Sequence, residues 1–174
     1  MMKAVFQRDG VVVGNLWYED DRPFGSKNLM VEDPYEKQYV YVAESSLPGA
    51  GLGLFARVDL PKDFVASFYT GKPVDLEAMY KRSWEENAYV ILTDKNVALD
   101  MGMPYCKLSN YCASLGHFAN HCKDAERRNC FYADFYHPRF GDISSIKTFK
   151  EVKAGQELLV DYLFNDSWPI PEWG

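Results

Sequence analysis

Apolar and polar positions alternate along this chain in short runs, not in long helical stripes. Residues 11–18 make a strand-like run, closed by the acidic turn Glu19-Asp20-Asp21 and by Arg22-Pro23-Phe24-Gly25, which predicts a small hairpin appendage. Residues 26–37 show little periodicity and read as a linker, so the main domain is expected to start near Tyr39. Strands are predicted over 39–43, 54–56 and 64–69, with Leu60-Pro61-Lys62-Asp63 as a turn between the last two. Between the first two, Gly49, Gly51 and Gly53 relax the backbone. One helix stands out: Asp75 can cap it, Glu77 falls in its first turn, and Leu76, Met79, Tyr80 and Trp84 make one apolar stripe that should pack on a sheet. Residues 88–92 and 97–100 flank Asp94-Lys95-Asn96 as a hairpin. Residues 130–137 and 143–149 are strands about the turn Arg139-Phe140-Gly141-Asp142, and 158–160 form the last strand. The tail from Trp168 to Trp173 is too broken by proline for a helix. The pattern is that of a mainly β domain with few helices.

One stretch departs from this rhythm. Between Tyr111 and His121, ring and amide groups interrupt small apolar residues, and Asn120-His121 brings two ring nitrogens, an amide donor and an amide acceptor side by side. If buried, that capacity must be answered by the fold or by a ligand.

At 174 residues the chain is long enough for one domain with its own core, and 47% hydrophobic residues agree with a globular class. Aromatics reach 16%, with 12 tyrosines, an excess that favours strands and amphipathic pocket walls, while residue by residue core filler is the first expectation. The formal charge of −6, from 19 basic and 25 acidic side chains, argues against a general nucleic-acid binder and for a cationic partner. A third possibility, an aromatic β platform for single-stranded nucleic acid, lacks the basic neighbours such a surface needs. Cysteines at 106, 112, 122 and 130 contain no CxxC pair, so reduced thiols in an intracellular compartment are expected. Neither a signal peptide nor a membrane span is supported by the pattern.

Other chemistries fit poorly. His117 and His121 are four apart, but Phe118 stands where a zincin needs glutamate, and the paired cysteines of structural zinc sites are missing, so no metal is expected. Cys122 beside His121 lacks a nucleophile elbow. The glycines at 49–53 are followed by neither Gly-Lys-Ser nor a helix, which speaks against a nucleotide loop while still letting a ligand approach the backbone.

Three segments in order carry a resemblance: Gly51-Leu52-Gly53-Leu54-Phe55-Ala56; then Gly116-His117-Phe118-Ala119-Asn120-His121 with Asn129-Cys130; then Gly155-Gln156-Glu157-Leu158-Leu159-Val160-Asp161-Tyr162. The chain resembles the SET-domain protein lysine methyltransferases. Within them, residues 40–45, 67–69, 111–117 and 137–141 are similar to the histone H3 monomethylases that carry MORN repeats ahead of the SET domain. The resemblance covers about residues 33–173. It implies a β-clip fold of short twisted sheets around a threaded C-terminal segment. The domains expected are an appendage and linker over 1–38 with a MORN-like remnant, a SET domain over 39–165, and a short tail over 166–174 that closes the cofactor site.

The resemblance further implies S-adenosyl-L-methionine as methyl donor on one face, and a lysine entering by a narrow channel from the other. Gly51, Leu52 and Gly53 would line the methionine part through their backbone, and Asn120 would contact its amino acid end. His117, Phe118 and His121 would lie near adenine and tail, Tyr89 would border the cofactor, and Trp173 would stack on adenine. Tyr162 is the residue expected nearest the reaction, with Tyr69 and Tyr132 completing the channel; tyrosine at all three positions resembles monomethylating members. The partner implied is a lysine-containing basic peptide or histone tail, met in nucleus or cytoplasm, with no direct nucleic-acid or membrane contact and an oligomeric state that the residues do not specify. A catalytically weak SET-like module binding basic tails is the alternative. Departures bear on the site: Phe118 and Phe164 replace a lysine and a tyrosine of the nearest type, Leu52 replaces an acid, the loop 122–128 is longer and more charged, and no cysteine-rich zinc module follows. The chain ends just after Trp173, so either the tail suffices or a partner completes the channel.

Overall fold

The structure, a computed structural model, describes residues 33–83, 85–93, 98–110, 114–137 and 139–163, together with the backbone of 2–8 and 11–18. Strand β1 (Met2–Arg8) pairs antiparallel with β2 (Val11–Tyr18). The predicted run at 11–18 thus finds its partner upstream, while the turn expected at 19–25 lies outside the described residues.

Helix α1 (Glu36–Tyr39) occupies ground read from sequence as linker. Asp33 Oδ1 accepts from the backbone N–H of Tyr35 at 2.8 Å and of Glu36 at 3.4 Å, closing the entry turn. Asp33, Tyr35 and Glu36 are all buried. A helix of four residues is too short to leave a 3.6-residue pattern, which is why periodicity missed it.

Strands β3 (Val40–Glu44) and β4 (Leu52–Ala56) form a hairpin whose connection is pinched by Ser45 N–H donating to Gly51 O at 2.8 Å. Gly51 sits at φ +73°, a conformation that glycine adopts without strain. Next come β5 (Val65–Tyr69), fully buried, and β6 (Lys72–Val74). Helix α2 (Leu76–Tyr80) is capped by Asp75, whose side chain accepts from Ala78 N–H as the sequence predicts. Its stripe is narrower than expected. Only Met79 is buried, Tyr80 is exposed, and Trp84 lies outside the described residues. The turn 94–96 is likewise outside, but its flanks pair antiparallel as predicted: β7 (Val90–Leu92) with β8 (Ala98–Asp100), in a sheet ordered β6-β8-β7.

A 3-10 turn (Gly116–Phe118) leads into β9 (Asn120–His121). Strand β10 (Cys130–His137) has the predicted bounds and pairs with β11 (Gly141–Thr148), which begins two residues earlier than expected. Gly141, at φ +76°, ends the turn and opens that strand. Strand β11 also pairs with β5, giving the antiparallel order β10-β11-β5.

The last strand, β12 (Leu159–Val160), runs parallel to β9. Its other edge is held by Asn129, whose Nδ2 donates to Glu157 O at 2.8 Å and whose Oδ1 accepts from Leu159 N–H at 2.9 Å. The C-terminal segment is therefore threaded between residues 120–122 and 129. Leu54, Ala56, Leu60, Ala66, Ile146, Val152, Leu158 and Val160, drawn from every part of the domain, make the main core beneath it. No helix among the described residues is long and apolar enough to cross a membrane.

Candidate active site

Threading brings the ends of β5, β9, β10 and β12 to one place, and each delivers an aromatic or polar side chain. Tyr69 closes β5, Tyr132 faces inward from β10, and Tyr162 follows β12. The rings of Tyr69 and Tyr132 are 6.1 Å apart between centroids and nearly perpendicular, and Tyr132 and Tyr162 are 6.3 Å apart. These three tyrosines, scattered over 94 positions of sequence from 69 to 162, form one aromatic box.

Their hydroxyl protons are already committed. Tyr69 Oη donates to Tyr89 O at 2.8 Å, and Tyr162 Oη donates to Ala119 O at 3.0 Å. Tyr132 donates its proton to the Tyr162 hydroxyl, a bond that raises the donor's pKa and lowers the acceptor's. Burial pushes all three phenols above their ordinary value of 10, with mutual charge repulsion adding to it at Tyr69 and Tyr132. Tyrosinate is excluded at neutral pH. What the box presents inward is hydroxyl oxygen, which accepts.

Beside the box lie the histidines. The Tyr69 and His117 rings are 6.2 Å apart, and His121 stands 5.5 Å from Tyr162. Burial holds His117 neutral, with its pKa lowered to about 4. His121 is also lowered, first by burial, with Asp161 opposing and Arg128 assisting. Tyr162 N–H donates to His121 Nδ1 at 3.2 Å, so the ring proton sits on Nε2. Asp161 Oδ1, 3.7 Å from the same nitrogen, is accordingly no hydrogen-bond partner; Asp161 is instead paired with Arg128.

Asn120 is the hub of the third wall. Its Nδ2 donates to Leu52 O at 2.9 Å, to Ser45 Oγ at 3.2 Å and to Glu157 Oε1 at 3.2 Å. Glu157 answers with both oxygens: Oε1 accepts from Ser45 Oγ at 2.7 Å, and Oε2 from Ser46 N–H at 2.8 Å and Ser46 Oγ at 2.5 Å. The amide protons of Asn120 being spent within the protein, its Oδ1 is what remains to offer a ligand. Gly51 and the half-exposed Leu52 line the outer edge; a Cβ on Gly51 would meet nothing within 4 Å, so its backbone borders open space.

The expected site residues 51–53, 69, 117, 118, 120, 121, 132 and 162 thus come from β4, β5, the turn before β9, β9 itself, β10 and the end of β12. Two contribute differently from expectation. Tyr89 takes part through its carbonyl oxygen, and Phe118, only 8% exposed, packs into the core with its ring 4.2 Å from that of His117. Trp173 and Phe164 lie outside the described residues. Glu157 went without a role in the sequence reading; its signal was an acid inside the apolar run before Tyr162. Among the described residues no group of three or more histidines, cysteines or acids could hold a metal ion.

The threaded β12, the box and the glycine edge define a SET fold, and residues 51–163 match the SET domain family: the chain belongs to it. The chain is 40% identical over 155 residues to the histone-lysine N-methyltransferase SETD7 of Halocynthia roretzi. That match takes in 85% of this chain but 39% of the relative, so the chain spans well under half of that protein's length. Among solved structures, an active polycomb repressive complex 2 in the basal state superposes with a TM-score of 0.55 at 22% identity, covering 74% of this chain and 16% of that one. A second, described as ctPRC2 in an autoinhibited conformation bound to S-adenosylmethionine, gives 0.53 at 20%, covering 72% and 15%. These two likenesses establish the shared fold.

Proposed function

We propose that this chain is an S-adenosylmethionine-dependent protein-lysine N-methyltransferase that adds one methyl group to a lysine in a basic tail such as that of histone H3, in the manner of the MORN-repeat type. Membership of the SET family supports the activity. The observation that carries the reading is the box of Tyr69, Tyr132 and Tyr162, whose hydroxyl protons all point into the protein.

The chemistry of the site suits the cofactor. His117 and His121 are neutral, so no imidazolium opposes a sulfonium, and Asn120 Oδ1 is an acceptor suited to an ammonium. The backbone at Gly51 borders open space, although the carbonyl oxygens of Gly51 and Leu52 are already engaged by Ser45 N–H and Asn120 Nδ2. When bound there, S-adenosylmethionine supplies a methyl group already activated by positively charged sulfur. Asn120, Gly51 and Leu52 would hold its amino acid end, and His117 and His121 would border the remainder.

The rest falls to the box. A lysine arrives as ammonium, with an ordinary pKa of about 10.4. Desolvation in the channel, and the positive sulfur that would lie beside it, disfavour its charge, and the proton leaves to water, because phenols raised by burial offer no base. The hydroxyl oxygens of Tyr69 and Tyr132 then accept the amine N–H groups and aim the nitrogen lone pair. Alignment of this kind is the main source of rate for such a transfer. Each methyl added removes an N–H and occupies the space of one acceptor, which stops the reaction after the first.

Incubation with labelled cofactor and mixed histones tests this. Label should enter a basic protein, and mass spectrometry should find one methyl per modified lysine. Tyr162→Phe should lower transfer by about 100-fold, the cost of losing close alignment. Cofactor binding without any transfer by the unaltered chain would favour the binding-module alternative instead.

A further inference from the structure

Glu36 is 1% exposed and stands outside the site, yet one of its oxygens joins two of the site's walls. Oε1 accepts from Ser67 Oγ, from Phe68 N–H at 2.7 Å and from Leu115 N–H at 3.1 Å. Ser67 and Phe68 are the two residues before Tyr69 on β5, and Leu115 opens the turn that carries His117 and leads to Asn120 and His121. The two backbones are in close contact here: a Cβ on Gly116 would fall 2.5 Å from Phe68 O. One residue further along, Thr70 N–H donates to Ser114 Oγ at 3.3 Å. Segments 67–70 and 114–116 are therefore zipped together, and the carboxyl of α1 is the clip.

We propose that Glu36 is a positioning residue for methyl transfer, fixing through Oε1 the separation between the strand that presents Tyr69 and the segment that presents His117, Asn120 and His121. The inference rests on the transferase reading above and names the device that aligns its two walls.

The protonation of the clip gives it a signature. Oε2 has no hydrogen-bond partner among the described residues. Burial, and then the nearby Asp33, raise the Glu36 pKa to about 8, against the three donors on Oε1. Facing groups are few. Tyr35 and Asp33 lie on its own segment, Ser67 on β5, and His137 of β10 is engaged with Asp33, its Nε2 3.1 Å from Oδ2. His137 Nδ1 accepts from Arg139 N–H, so the ring proton points at Asp33 and not at Glu36. At neutral pH the clip is a carboxylic acid whose Oε1 accepts; above about 8 it becomes an anion that its three donors hold more tightly while Asp33, on its own segment, repels it, so the setting of the clip changes.

The test uses the full chain, labelled cofactor and a histone substrate across pH 7 to 9, on either side of the Glu36 pKa. Glu36→Ala should lower kcat by about 100-fold with KM for peptide changed far less, as misplacement of aligned groups does. Glu36→Gln, which keeps an acceptor at Oε1 and cannot ionise, should restore most of that loss, and the wild-type kcat should depart from that of Glu36→Gln as pH passes 8. A folded Glu36→Ala with unchanged kcat overturns the proposal. Should that variant not fold, a wild-type to Glu36→Gln kcat ratio that stays constant with pH overturns it equally. Amide hydrogen exchange at residues 67–69 and 115–118, compared between wild type and Glu36→Gln, needs no turnover. A pH-dependent difference there in a chain that transfers no methyl would defeat the transferase reading and keep the clip; active transfer without that difference would do the reverse.

Discussion

A methyl group placed on Gly53 would land 2.2 Å from Glu157 Oε1 and 3.3 Å from Asn120 Nδ2. The missing side chain is thus what lets the Glu157 carboxylate reach the back of β4 and anchor Asn120. Gly53→Ala should lower stability by about 1–3 kcal/mol, the usual cost of overpacking, as read from the urea midpoint. Tyr132 makes the complementary case for function. Tyr132→Phe removes one acceptor and one atom of bulk from the box, so dimethyl-lysine should appear in the product mass spectrum while the first transfer continues. A product that stays purely monomethyl would place the control elsewhere. At residue 118 the phenyl ring serves the core beside His117, so the resemblance to a family that has lysine there transfers no charged contact to this chain.

At the scale of elements, the segment from 157 to 162 depends on one side-chain amide. Asn129 supplies both a donor to Glu157 O and an acceptor for Leu159 N–H. Asn129→Ala leaves those buried backbone groups unpaired and should cost about 3 kcal/mol, measurable by denaturant titration. The same element shows where sequence reading reaches and where it stops. Strands such as β10 were legible because apolar residues recur through them and glycine or proline marks their ends. Strand β12 lies within the run expected at 158–160, but β9, two residues long, has no period to read, and the parallel pairing of the two joins positions 39 apart, Asn120 to Leu159. Only the motif Asn120-His121 hinted that something was held there. The role of Asp33 and Glu36 stayed hidden for a different reason: acids in an aperiodic stretch look solvated, and only the tertiary fold shows that Ser67, Phe68 and Leu115 turn their donors toward one of them. Tyr69, Tyr132 and Tyr162 were legible through family resemblance, but the direction of their hydroxyl protons is a property of three dimensions.

For the molecule as a whole, buried titrating groups set opposing responses to pH. An unfolded Glu36 loses its proton near 4.5, whereas the folded one keeps it to about 8. Between those values the folded state binds the extra proton, so its contribution to stability falls as pH rises, by about 1.4 kcal/mol per unit. His117 works the other way. It stays neutral when folded down to about 4 and is protonated when unfolded below 6.5. Its contribution is complete above 6.5 and is lost as pH falls toward 4. Thermal melts of wild type and Glu36→Gln should therefore diverge progressively from pH 4.5 to 8, the variant becoming the more stable, and run parallel above. Parallel curves throughout would show that Glu36 is not held protonated by the fold.

The threaded segment also governs when the protein becomes competent. Tyr162 is fixed by bonds to His121 and Ala119, 41 and 43 positions earlier, and Glu157 by bonds to Ser45 and Ser46, 112 and 111 positions earlier. Contacts so distant in sequence form late and slowly in folding. A chain emerging from the ribosome has its two other tyrosines, its histidines and its glycine edge in hand long before Tyr162 can be seated. Until that last seat is taken the box lacks a wall, so a half-made chain has no completed site.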